Sequence, residues 1–238
     1  MKTSTIKTKS RDIPHLDESF SYAFTGMIRV ENLIDVYRHS RTLLGKTKGR
    51  TLIHVADILR AAVVLCHANL EQLLRDVAIL HANWPKELLQ RIPLFSQDGT
   101  RVEKFTLADI RKHSEMSVND LICRSVANYY EKRSFTSIDD VIEVLSFCSL
   151  DLTHFRPYFR PIKEMMNRRH HIAHTGDVES NKGKGKQIAK SINATQVHAW
   201  NKAVFDFVFR LSVELGTNHA TSEYLGKDYL KDGKMRRT

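Results

Sequence analysis

Ala56, Leu59, Val63, Cys66, Leu70, Leu73, Val77 and Leu80 recur at alternating steps of three and four residues. That spacing returns to one side of a helix every two turns, and a strand, whose side chains alternate with a period of two, cannot hold it. The pattern predicts a long amphipathic helix that must bury one stripe against other helices, with Asp57 near its start and Pro85 beyond its end as boundaries. A second helical run lies upstream between Ile13 and Leu44. There Phe20, Phe24, Met27, Ile28, Ile34 and Tyr37 keep near-helical spacing, with Asp17 or Ser19 as N-cap.

Downstream the pattern breaks from Ile92 to Phe105, where Gln97-Asp98-Gly99-Thr100 reads as a turn or small hairpin. Three short helices are expected at 107–114, 118–133 and 138–148, each preceded by Thr or Ser in a capping position. Two prolines between Phe155 and Pro161 predict a kinked entry into a helix from Ile162 to about Thr175. After a Gly/Lys-rich loop, a last helix is expected from about Thr195 to Leu215, with Val197, Trp200, Val204, Phe207, Leu211 and Leu215 on one side. No convincing strand-period run and no internal repeat is present. The expectation is an all-α protein, an antiparallel helical bundle forming a single domain over 12–215. It carries a short-helix insertion at about 92–155, a basic loop at 176–191 and basic tails at 1–11 and 216–238.

The 42% apolar and 27% charged residues allow a sizeable core, and no apolar run approaches the ~18 to 20 residues of a membrane span. With no secretory leader pattern at the N-terminus, a cytoplasmic protein without membrane contact is expected. Cys66, Cys123 and Cys148 form no C-x-x-C pair, so core thiols are a simpler reading than disulfides, a zinc ribbon or nucleophiles. The net charge is +10, of which +8 falls in the two tails and the 176–191 loop. The body is therefore near neutral. Lys182, Lys184 and Lys186 are either contacts for an anionic partner or simply a solvated loop.

The chemistry-bearing stretch is Asn167-Arg168-Arg169-His170-His171-Ile172-Ala173-His174. At 100° per residue from Ile162, the apolar Met165, Met166, Ile172 and Ala173 share a face with Arg169 at about 340°, near its centre. His170 and His174 fall at about 80° and 120° on the edge of that face, whereas Arg168 and His171 point elsewhere. A guanidinium in an apolar stripe is costly without a partner, and an interface between subunits explains it better than a monomer core. Three plainer readings stand beside this. Arg169 pairs with a buried carboxylate, His174 complements the helix dipole, or His170 and His174 ligate a metal through their i, i+4 spacing, for which no further ligand cluster is evident.

At these residues the chain resembles the HEPN superfamily, whose hallmark is Arg, four to six residues, then His, often with Asn, Asp or His directly after the Arg. Here the hexad is Arg169-His170-His171-Ile172-Ala173-His174, at the end of a helix and followed by a loop and a long amphipathic helix. An earlier helix reads Ala68-Asn69-Leu70-Glu71-Gln72-Leu73-Leu74-Arg75, and the likeness, over roughly 50–215, is greatest to the RiboL-PSP branch. Gly176 stands two after the histidine, where the toxin branch paired with nucleotidyltransferase antitoxins carries tyrosine, so that partner is not implied. The resemblance implies a metal-independent endoribonuclease that needs no cofactor. Its RNA would be cut in a composite cleft of a homodimer, in stress response or defence, with room for an unknown inhibitor protein. Arg169 would bind the phosphate and His174 transfer a proton, with His170 assisting and Glu71 orienting Arg169. The alternative is a noncatalytic HEPN module that binds RNA or a protein through the same face.

Overall fold

The computed structural model describes residues 13–44, 53–80, 84–95, 106–179 and 188–217. The turn at 97–100, Lys182, Lys184 and Lys186, and the tails before residue 13 and after residue 217 lie outside them.

Two long antiparallel-packing helices form the frame, α1 (Ile13–Leu43) and α2 (Ile53–Leu80). α1 begins at Ile13, ahead of the expected caps at Asp17 or Ser19. Pro14 explains this: in a first turn its missing N–H costs no hydrogen bond and its fixed φ suits the helix. The three-and-four stripe of α2 points inward, with Leu59, Val63, Cys66, Leu70, Leu73 and Val77 buried against Phe20, Phe24, Met27 and Ile34 of α1 in one core. At Gly26 the two helices pack tightly, and a Cβ there would stand 2.4 Å from the Asn69 amide.

The connection to the next long helix contains α3 (Lys86–Leu89), α4 (Leu107–Arg111), α5 (Val118–Lys132), α6 (Ile138–Phe147) and a short 3₁₀ turn, Leu152–His154. Thr106, Ser117 and Ser137 cap α4, α5 and α6 as expected, each hydroxyl accepting the backbone N–H three residues on. α5 and α6 do not stand apart from the bundle. Val126, Tyr130, Phe135, Val141 and Val144 are buried in the same core as α2, and the Tyr130 and Phe135 rings stack 6.1 Å apart.

α7 (Arg156–Thr175) starts earlier than Ile162 and passes through both prolines as one helix. Pro157 lies in the first turn, where no intrahelical donor is lost, and Pro161 removes a single bond one turn later. Burial of Phe155 and Ile162 offsets that loss, with the Phe155 ring 5.4 Å from Phe207. Strands β1 (Val178–Glu179) and β2 (Ile188–Ala189) pair antiparallel across the neck of the basic loop, the only strand pair among the described residues. α8 (Ala194–Glu214) then closes the bundle, capped by Asn193. It runs antiparallel to α1. Phe205 meets Phe24 at 5.2 Å, Asn201 donates to the Met27 carbonyl at 3.1 Å, and His198 Nδ1 reaches Glu31 at 2.9 Å. No helix of the described residues is long and apolar enough to cross a membrane.

Candidate active site

The site is built where the C-terminal half of α7 crosses α2. Gly176 (φ +59°) stops α7 in the left-handed region, and Asp177 (φ +61°) follows in the same conformation, which Asp tolerates better than most side chains. Asp177 is 1% exposed and accepts from Arg60 Nε at 2.8 Å and Arg168 Nη2 at 2.6 Å. Both guanidiniums continue outward, Arg60 to the Lys190 carbonyl at 2.9 Å and Arg168 to those of Lys190 and Ser191 at 3.1 and 2.9 Å. One carboxylate between two arginines thus ties α2, the end of α7 and the segment just after β2 together. Helical spacing directs Arg168 away from the apolar face, and the structure gives it this architectural role.

Arg169 is different. Arg60, Arg75, Arg133, Arg168 and Arg210 are all buried or half-buried, and each has a carboxylate partner. Half-buried Arg169 has no ion pair or hydrogen bond among the described residues. Its charge acts instead on His67 of α2. His67 is 1% exposed, and burial, then the Arg169 charge, push its pKa below the usual histidine value. The Glu71 carboxylate and the Phe135 carbonyl act the opposite way without prevailing.

Glu71 does not orient Arg169 directly. One of its oxygens accepts from Arg75 Nη2 at 3.2 Å and the Phe135 amide at 3.3 Å, and the other lies 3.5 Å from His67 Nδ1. Arg75, one turn along the same helix, and the α5–α6 connection claim the carboxylate first, so any link to Arg169 runs through His67. Sequence reasoning missed His67. The available signal was a histidine inside the apolar stripe of α2, between Val63 and Leu70 and one turn before Glu71.

The structure brings His170 and His174 together, their rings 4.4 Å apart and tilted by 42°, on the exposed flank of α7. Arg169 and His174, five residues apart, differ by about 140° around the axis and ~7.5 Å along it. The arginine therefore leans toward α2 and the histidine toward the open side. No group of three or more His, Cys, Asp or Glu gathers to hold a metal among the described residues. Burial pushes the Cys66 and Cys148 thiols up to about 12, which leaves them protonated and unreactive at neutral pH. An open groove of about 440 Å³ between α1 and α2 is lined by Glu18, Ser19, Tyr22, Gln72, Asp76, Ile79 and Leu80. Its two carboxylates disfavour a polyanion, and Arg169 is not part of it.

A helical bundle whose one helix carries an arginine without an ion pair among the described residues and, one and five residues on, two histidines in ring contact defines a class of Arg/His site on an all-α scaffold. The model of the RiboL-PSP-HEPN family matches residues 31–211, and the chain belongs to that family. No curated protein and no solved structure matches it.

Proposed function

We propose that the protein is a metal-independent endoribonuclease in which Arg169 binds the scissile phosphate and His174 transfers a proton. The observation that carries this reading is the half-buried guanidinium of Arg169, which has no ion pair among the described residues whereas Arg60, Arg75, Arg133, Arg168 and Arg210 each have a carboxylate partner. A fixed cation held partly out of water and left without a counter-charge is suited to an oxyanion, and most strongly to one whose charge grows during reaction. In the reaction O2′ attacks phosphorus and the P–O5′ bond breaks, leaving a 2′,3′-cyclic phosphate and a 5′-hydroxyl. The proton leaves O2′ and another arrives on O5′. His174, exposed and in ring contact with His170, serves one of these transfers, with His170 assisting.

The divergence of Arg169 and His174 around α7 supports a composite cleft in which a second copy supplies the facing half. On α2 the exposed Ala61, Val64 and Ala68, at i, i+3 and i+7, form a stripe of small apolar side chains that favours such a close approach. The same divergence also favours the second reading, a binding module that holds RNA at Arg169 without cutting it. Incubation of the full chain with mixed RNAs in chelator separates the two. Cleavage should fall by about 10²- to 10⁴-fold in His174→Ala and be lost in Arg169→Ala, both remaining folded. RNA bound but left intact by the unaltered protein would favour the binding module.

A further inference from the structure

His67 touches nothing that reacts in this scheme, yet its two ring nitrogens are placed unequally. Nε2 lies 2.9 Å from the Phe135 carbonyl, which only accepts, so Nε2 carries a hydrogen. In the neutral ring Nδ1 then holds a lone pair. It faces the Glu71 carboxylate at 3.5 Å and is buried without a hydrogen bond. One proton on Nδ1 would turn this opposition of lone pairs into a charge-assisted bond. Two charged groups act on the ring, Glu71 from its own helix, which favours that proton, and Arg169 from α7, which opposes it. The α5–α6 connection contributes the Phe135 carbonyl, and among the described residues α1 and α8 bring no charge to bear on the ring.

We propose that His67 is a positioning residue that makes oxyanion binding at Arg169 proton-linked: as the anion arrives, His67 takes a proton on Nδ1 and closes onto Glu71. This rests on the reading of Arg169 as the phosphate-binding group. Burial and then the Arg169 charge hold the ring neutral, and an oxyanion offsets the second of these, so the proton on the ring and the anion raise each other's affinity by the same factor. The proton comes from water and no covalent bond between heavy atoms changes. Closure of His67 onto Glu71 also tightens the Phe135 segment, because Glu71 and His67 both bond its backbone.

Sulfate, whose charge is constant across the neutral range, serves as the probe on the full chain. Its affinity is measured against pH by calorimetry in two buffers of different ionisation enthalpy, while the His67 ring signal is followed by NMR. Sulfate should raise the His67 pKa and bind with uptake of up to one extra proton. Lowering the pH by one unit should then tighten binding by up to about tenfold beyond the change seen in His67→Gln or Glu71→Gln. Arg169→Gln should weaken sulfate at every pH. If Arg169→Gln weakens sulfate but the His67 signal does not move, the proton link is wrong and the phosphate role of Arg169 survives. Sulfate binding indifferent to Arg169→Gln would overturn both. The NMR titration of the unaltered protein decides the question even where a His67 variant fails to fold.

Discussion

Replacing Arg168 with alanine removes one of the two guanidiniums that satisfy Asp177. The pair is well buried, with side chains 11% and 0% exposed, and the contact is 2.6 Å. Removing one partner of a buried ion pair costs about 3–5 kcal/mol when the other is left alone. Arg60 still donates to the same oxygen at 2.8 Å, which places the expected loss nearer ~2–3 kcal/mol. The carbonyls of Lys190 and Ser191 add little, since both residues are exposed and water can replace the lost donor. At ~2–4 °C per kcal/mol for a domain of this size, the midpoint of thermal unfolding should fall by roughly 4–12 °C. Arg169→Ala should behave oppositely, because it breaks no ion pair, and its loss should stay below ~1 kcal/mol. Far-ultraviolet circular dichroism melts of the three proteins at one pH check this contrast. Equal destabilisation by the two substitutions, or a larger one from Arg169→Ala, would refute both the clamp and the unpaired state of Arg169.

Gly26→Ala should destabilise by about 1–3 kcal/mol in urea unfolding, since the added carbon meets the Asn69 amide at 2.4 Å. In an Asn69→Ala background most of that loss should vanish, and an additive double mutant would show that the clash is with something else. The buried, Arg169-facing His67 has a folded-state pKa below its ordinary 6.5, so the unfolded chain binds the proton more readily. Its contribution to stability is then fully present above about pH 6.5 and is lost as the pH falls through the window between 6.5 and the lower folded value. The drop in urea midpoint on going from pH 7.5 to 5.5 should be smaller in His67→Gln than in the unaltered chain, and an equal drop would place the acid sensitivity elsewhere.

Local chemistry in the sequence determined the helices and their approximate ends. The three-and-four spacing of α2 is a property of the chain itself, as are the Ser and Thr caps of α4, α5 and α6 and the glycine that stops α7. The Arg-x4-His hexad is equally a matter of adjacent residues, and with it the family. The start of α7 was less legible because two prolines within five residues look like a break. Whether they form a helix is decided by what Phe155 and Ile162 are buried against. The partners of the arginines could not be read at all. Arg168 and Arg169 are chemically identical neighbours, and only the return of the chain at Asp177 makes one of them structural and leaves the other without a counter-charge among the described residues. His67 was hidden for the same reason: its significance lies in Phe135 and Arg169, 68 and 102 positions away in the sequence. Helical periodicity is set by contacts three and four residues apart, whereas the electrostatics of a buried side chain are set by whatever the fold brings within a few ångströms, and that distance is unrelated to separation along the chain.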